Sequence, residues 1–111
     1  MTTLHTIFIG HIACVLTDVN KFEIKAKAGN GVNLEWHFNA SVSYIKHFQL
    51  TVKRIHSNGT IEISDVTFIS KHSRAFVFIG LEKGEHEIEI QASSVISYSC
   101  ITPKKVLQFE I

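Results

Sequence analysis

Seven histidines, two cysteines and a run of glutamates are the residues of this 111-residue chain that could do chemistry. Imidazoles and thiolates bind zinc, and either group becomes a base or a nucleophile when a second polar group orients it. No histidine has another histidine, a cysteine or an aspartate at the close spacing that zinc sites use. We therefore expect no metal, no cofactor and no enzyme activity, and mostly solvated rings. The seven are His5, His11, His37, His47, His56, His72 and His86.

Glu85, Glu87 and Glu89 form an acidic stripe that alternates with apolar residues. Alternation puts the three carboxylates on one face of a strand, and we expect that face to meet solvent. The strands carrying Lys53 and Lys104 are expected beside it, in cross-strand pairs that contribute only tenths of a kcal/mol each. A solvated face that opposes aggregation is favoured over an ion site.

The two cysteines, Cys14 and Cys100, are far apart in the sequence. In the chain-entropy model, a disulfide closing so long a loop would stabilise by roughly 4–5 kcal/mol in an oxidising compartment. The alternative is a pair of reduced cysteines that behave as small, partly buried apolar residues. Both readings stay open, because the sequence does not fix the compartment.

Two asparagines stand in the N-glycosylation acceptor pattern, Asn39 before Ala40-Ser41 and Asn58 before Gly59-Thr60. Both fall in segments that are predicted to be exposed turns. Because matches to so short a pattern also arise by chance, they only mark candidate acceptors.

The composition and net charge of the chain argue against two classes of partner, nucleic acids and membranes. The chain is 45% apolar and 19% charged, values typical of an ordinary globular domain. A formal net charge of +1 gives no electrostatic signal for nucleic acid, and no apolar run reaches the roughly 20 residues that cross a bilayer. We therefore expect protein partners, with neither nucleic acid binding nor membrane insertion.

Strand patterns dominate the sequence. The clearest is 32–38, where Val32, Leu34, Trp36 and Phe38 alternate with polar residues and are predicted to face inward. The Trp36 indole is expected to pack against Phe48, Phe78 and Ile90, and the inward face of 21–28 is expected to carry Phe22, Ile24 and Ala26. Asn58-Gly59 predicts a type I′ hairpin turn with positive φ at both residues. Seven strands separated by turns predict an all-β sandwich of two antiparallel sheets. The predicted strands are 21–28, 32–38, 44–55, 60–70, 74–81, 85–92 and 104–111.

The order of landmarks along 19–111 resembles the fibronectin type III family, an immunoglobulin-like sandwich. Trp36 stands in LEWHF where that family has its second-strand tryptophan, and Phe48 stands where it has a third-strand aromatic. The stretch 76–92, FVFIGLEKGEHEIEIQA, is similar to its aromatic row, turn and closing aliphatic strand. Two positions depart from the family pattern: Lys83 replaces a proline, and His86 replaces a corner tyrosine whose hydroxyl bonds upstream backbone.

The resemblance implies a mostly non-catalytic domain of a receptor, adhesion or scaffold protein. An extracellular or cell-surface location is slightly favoured, with an intracellular scaffold as the alternative. A neutral His86 would donate one backbone hydrogen bond but bury less apolar area than tyrosine does. We therefore expect a weaker corner there.

The first 18 residues precede the sandwich and include an apolar stretch, 6–17. No Lys or Arg precedes this stretch and His11 interrupts it, so an extra strand or a docked arm is favoured over a signal peptide. The expected organisation is an arm at 1–18 and a domain at 19–111.

The loop before the last strand is too apolar to be an ordinary connection. Val95, Ile96, Tyr98 and Ile101 lie in it, and Tyr44 ends another loop that is expected at the same pole of the sandwich. Either the N-terminal arm covers this loop, with Cys14 and Cys100 at one pole, or the loop is a partner site.

The function expected from the sequence is a protein–protein interaction module that uses pole loops or an edge strand. The alternative is a structural spacer or self-assembly domain that forms a homodimer through its apolar N-terminal arm.

Overall fold

The computed structural model describes residues 19–94 and 104–111, so the predicted arm lies outside the described residues. Apart from one 3-10 turn at Val42–Tyr44, all regular structure in these residues is strand. The strands are β1 (Val19–Ala28), β2 (Gly31–Phe38), β3 (Ile45–Ile55), β4 (Ile61–Ser70), β5 (Ala75–Phe78), β6 (Glu85–Ser94) and β7 (Lys105–Glu110).

The strands form two antiparallel sheets, with strand orders β1-β2-β5 and β4-β3-β6-β7. Lys27 on β1 donates from Nζ to the carbonyl of Glu110 on β7, 3.0 Å away, which joins the two sheets along one side. The two-sheet sandwich of seven strands that the sequence predicts is confirmed.

The core lies between the sheets and is built from alternating residues of their central strands. Each large apolar side chain removed from water stabilises the fold by about 1.5–3 kcal/mol. The predicted inward faces of β2 and β3 are confirmed. The most deeply buried side chains are Val19, Val32, Leu34, Trp36, Ile45, Phe48, Leu50, Val52, Ile88 and Ile90.

Trp36 lies at the centre of an aromatic cluster and is 1% exposed. Its ring packs edge-on against Phe48, with centroids 5.6 Å apart, as predicted. Phe78, also expected beside the indole, instead pairs with Val32 further along β2. Phe22 takes that place, with its ring centroid 6.4 Å from that of Trp36.

A bulge in β1 brings Phe22 to the indole. Between the pairs Asn20–His37 and Glu23–Glu35, β1 has one residue more than β2, and Lys21 has a φ of 50°. An extra residue in left-handed conformation bends the strand and turns the next side chain inward. A second irregularity follows Ile24, and Ala26, which was expected to face the core, is exposed.

The turn between β3 and β4 is a hairpin, but not of the predicted type. Gly59 has a φ of 88°, whereas neither Ser57 nor Asn58 has a positive φ. Gly59 N donates to His56 O at 2.9 Å, and His56 N donates to Thr60 O at 2.8 Å. This is the three-residue loop in which a left-handed glycine follows a type I turn. Asn58 Oδ1 accepts from Thr60 N at 3.0 Å, which satisfies a donor that the wider loop leaves unpaired.

Replacing Gly59 with valine should destabilise the protein through backbone strain alone. A Cβ at this position would meet no atom within 4 Å, yet φ is 88°. A β-branched residue in this region costs about 1–2 kcal/mol. Urea unfolding of Gly59→Val should show this loss, and the exposed control Ser57→Ala should stay within about 0.5 kcal/mol of the wild type. A Gly59→Val protein as stable as the wild type would contradict the left-handed conformation.

Candidate interaction surface

The strand ends next to the predicted loop site gather at one pole of the sandwich. Val19 pairs with Phe38, and Ile45 pairs with Ser94, so β1 starts where β2 ends and β6 ends where β3 starts. Tyr44 lies at this pole and is 47% exposed. The segments that carry the other predicted residues therefore attach to the sandwich at one pole. Those residues, Val95, Ile96, Tyr98, Ile101, Cys14 and Cys100, lie outside the described residues.

Both candidate glycosylation sites are exposed. Asn39 follows the last residue of β2, and Asn58 lies in the β3–β4 hairpin. The Asn58 amide oxygen accepts a backbone hydrogen bond, which leaves its nitrogen free to face solvent. Glycosylation at either position remains a prediction.

The largest exposed apolar feature of the described surface runs along β4, on the face of the four-stranded sheet that points away from the core. We call it the β4 row, and its members are 43% to 63% exposed. Soluble domains seldom expose several large apolar side chains side by side without a partner. The row consists of Ile61, Ile63, Val66 and Phe68.

A bulge makes the β4 row continuous. Lys53 pairs with Ile63 but the preceding Val52 pairs with Asp65, so Ser64 is an extra residue. Without it, strict alternation would put Asp65 and not Val66 on the outer face. The sequence carries the signal as apolar residues at 61 and 63 and then at 66 and 68, a shift of one residue at Ser64-Asp65. Because the alternation is interrupted there, the two faces of this strand were not predicted from the sequence, and neither was the row.

Phe68, the most exposed member of the row, is held against a neighbouring strand. Its ring meets the ring of His47 edge-on, with centroids 4.8 Å apart, and it lies opposite Gln49 in the β3–β4 register. A ring fixed from one side loses little conformational freedom when a partner covers the other. The β4 row therefore has a preformed aromatic end.

β4 is also an edge strand, and it lacks the features that protect the other edges. In the described part of the sandwich its one neighbouring strand is β3. Lysine, proline and short length protect edges against pairing with other chains. β1 carries Lys21, Lys25 and Lys27, β7 begins with Lys105, and β5 has four residues. The sequence of β4, IEISDVTFIS, has ten residues with no lysine, arginine or proline.

The acidic stripe lies on the outer face of the same sheet, and its carboxylates differ from one another in exposure and ion pairing more than predicted. Lys53 Nζ lies 2.5 Å from Glu89 and 3.8 Å from Glu87, and Lys104 Nζ lies 3.5 Å from Glu89. The predicted pairing with Lys53 and Lys104 is confirmed. The expectation of full solvation is wrong for Glu87 and Glu89, whose side chains are only 14% and 10% exposed.

Burial and ion pairing act in opposite directions on the pKa of Glu89. Burial alone would raise this pKa, but the hydrogen bond and charge of Lys53, with the charge of Lys104, outweigh it and lower the pKa below 4.5. The same hydrogen bond raises the pKa of the Lys53 ammonium group. The cluster is a satisfied ion network in which each charge has a partner.

Polar side chains at the opposite pole hold the turn between β5 and β6. Arg54 donates to the Glu82 carboxylate at 2.6 Å and to the Lys83 carbonyl at 2.8 Å. His86 is 2% exposed, and its Nδ1 donates to the Gly84 carbonyl at 3.0 Å. The ring of His86 also stacks on Phe109. As expected, His86 donates one upstream backbone bond from the corner position.

The described residues contain no cluster of three His, Cys, Asp or Glu side chains with the geometry of a metal site. His37 is exposed on β2, His47 packs on Phe68, and His86 is buried at the corner. No helix long and apolar enough to span a bilayer occurs in 19–94 or 104–111.

Comparison with known proteins supports the architecture. No family model matches this sequence, and no curated protein matches it either. The structure is similar to that of a computationally redesigned β-sandwich protein, with a TM-score of 0.66 and 14% sequence identity, over 86% of this chain and 90% of that chain. At that identity the likeness concerns the fold, and the chain is a two-sheet antiparallel β-sandwich.

Proposed function

We propose that this chain is a non-catalytic protein–protein interaction module that binds through edge strand β4. The observation that carries the proposal is the β4 row, four large apolar side chains exposed along an edge strand that contains no lysine, arginine or proline. An edge of this kind offers a partner backbone hydrogen bonds along the strand and apolar contacts from alternate side chains.

The same proposal assigns the chain to a fibronectin type III-like domain. In constant-type immunoglobulin domains the fourth strand belongs to the sheet of the first two strands, whereas β4 here joins the sheet of β3, β6 and β7. Burial of Trp36 on β2 and of Phe48 near the start of β3 supports the assignment. The backbone bond of His86 at the corner does so too.

The engagement of the buried polar groups among the described residues supports a non-catalytic role. A catalytic site needs a nucleophile, a base and an orienting group within hydrogen-bond reach of one another. The buried histidine, His86, bonds a backbone carbonyl, and the least exposed carboxylate, that of Glu89, is held by Lys53. Each of these two groups is already engaged in a hydrogen bond or an ion pair within the fold.

A photo-crosslinking residue in place of Phe68 tests the proposal. In native extract it should form covalent adducts with one or a few proteins, identified by mass spectrometry. The matched control carries the same residue in place of Val106, which is 48% exposed on the outer face of β7. Adducts that are absent at 68, or identical at 68 and 106, would overturn binding through β4.

The pole loops remain a predicted second surface. Of the residues predicted there, Tyr44 is described and exposed, and Val95, Ile96, Tyr98 and Ile101 lie outside the described residues. Self-assembly through the apolar arm lies outside them too and stays a prediction.

A further inference from the structure

Resting on the proposed function, we propose that the partner of β4 is the β4 of a second copy of this chain. The two strands pair antiparallel about a two-fold axis at Thr67, and the two four-stranded sheets become one continuous sheet of eight strands. Three observations lead to this occupant: the direction of the free backbone groups, the position of the bulge, and the match of side chains that the axis brings together.

The backbone direction follows from the β3–β4 register. In an antiparallel pair, alternate residues point their N–H and C=O groups at the partner strand. His56 N donates to Thr60 O, so alternation along β3 directs the groups of Leu50 toward β4. Leu50 pairs with Thr67, which therefore points its backbone groups back at β3. Val66 and Phe68, on either side, point theirs at the free edge.

A two-fold axis at Thr67 lets the free backbone N–H and C=O groups of Val66 and Phe68 all form hydrogen bonds with the second copy. It places Val66 of each copy opposite Phe68 of the other, so that the residues with outward backbone groups meet as hydrogen-bonded pairs. The seven residues 64–70 of each strand are then paired, and the bulge residue Ser64 lies at the end of the paired segment, opposite Ser70 of the other copy. An axis at Val66 would place the Ser64 bulge in the interior of the paired segment, opposite Phe68, and an axis at Phe68 would leave only five residues of β4 paired.

The side chains that meet on the outer face in this register are complementary. Each Phe68 lies against a Val66 on the outer face, an aromatic–β-branched pair that stabilises sheets, and the symmetry produces it twice. On the other face Thr67 meets its own copy and Asp65 meets Ile69. Like charges directly opposite one another destabilise a sheet, and none are opposed here.

A second copy also fits the charge of the edge. The two ionisable residues of β4, Glu62 and Asp65, are both acidic, and the strand has no basic residue. Asp65 lies opposite Ile69 of the other copy, and Glu62 lies beyond the paired segment. Pairing of β4 with its own copy therefore places no two acidic residues directly opposite one another.

The expected result is a concentration-dependent dimer between low and high micromolar protein, measured by size-exclusion chromatography with light scattering. Phe68→Lys removes both Phe68–Val66 pairs and adds the charge that protects other edges, so it should weaken dimerisation by about tenfold or more. The matched control is Val77→Lys on edge strand β5, where the side chain is 55% exposed. It should leave the dimer unchanged.

A cysteine at position 67 tests the register. Non-hydrogen-bonded antiparallel pairs bring α-carbons to about 4.5 Å, within the range of a disulfide. Under mild oxidation, Thr67→Cys should give a 67–67 linked peptide in mass spectrometry, which distinguishes it from links through native cysteines. Ile61→Cys, outside the paired segment, should give no 61–61 link.

The outcomes separate this proposal from the proposed function. A protein that stays monomeric, or a dimer that Phe68→Lys leaves intact, overturns pairing through β4 of a second copy. If such a monomer still forms adducts with another protein from position 68, the interaction function stands with a different partner. If position 68 forms no adduct with any protein, this chain included, both proposals fall.

Discussion

Trp36→Ala should lower the free energy of unfolding by about 3–5 kcal/mol. The indole is 1% exposed and meets the rings of Phe48 and Phe22 edge-on, so its loss removes apolar burial from both sheets and leaves a cavity. An effect of this size is a large part of the total stability of a single domain. Urea denaturation followed by circular dichroism measures it without relying on tryptophan fluorescence.

The matched control for Trp36→Ala is Val77→Ala, on the outer face of β5. Val77 is 55% exposed, so its truncation should change the free energy of unfolding by less than about 0.5 kcal/mol. A loss below about 1 kcal/mol for Trp36→Ala would mean that the inward face of β2 is assigned wrongly.

Lys53→Met should destabilise the protein at neutral pH by about 1–3 kcal/mol, because the Glu89 carboxylate would lose its nearest cation while remaining mostly buried. Lys104 stays 3.5 Å from the same carboxylate and limits the loss. The deficit should shrink in acid, since a protonated Glu89 no longer needs a cation. Urea unfolding of both proteins at a series of pH values measures it, and a deficit that is constant with pH would contradict this account.

The acid limb of the stability curve follows from the lowered pKa of Glu89. A carboxyl group whose pKa is lower in the folded protein than in the unfolded chain stabilises the fold above the unfolded pKa, here about 4.5. That stabilisation is lost as the pH falls through the folded value. Glu89→Gln should therefore flatten the decline of stability below pH 4.5. Glu23→Gln, at an exposed carboxylate paired with Lys25, is the matched control.

The strands that the sequence predicted best are the ones whose two faces differ. β2 alternates apolar and polar residues from Val32 to Phe38, and every apolar residue of that run is buried. When side chains alternate between a buried and an exposed face, a shift of one residue would turn the polar side chains into the core, so only one register keeps the core apolar. The alternating pattern of β2 is therefore enough to predict which face of the strand is buried, without knowledge of the neighbouring strands.

The β4 row could not be predicted in the same way. Being an edge is a property of the assembled sheet, and Ser64 breaks the alternation that would have marked the faces. The β3–β4 turn shows the same difficulty at short range. Asn58-Gly59 suits a type I′ turn, but the register of the two strands and the Asn58 side-chain bond to Thr60 fit a loop with one left-handed residue.

The position of β6 between β3 and β7 has a consequence for how fast the chain folds. β3 meets β4 across a short hairpin, but it pairs with β6 only after β4, β5 and their turns have been spanned, from Ile55–Glu85 to Ile45–Ser94. Hairpins close in about 1–10 μs, whereas sandwiches dominated by distant pairings fold in about milliseconds to seconds. The β3–β4 hairpin should thus form and re-form many times before β6 arrives to hold it.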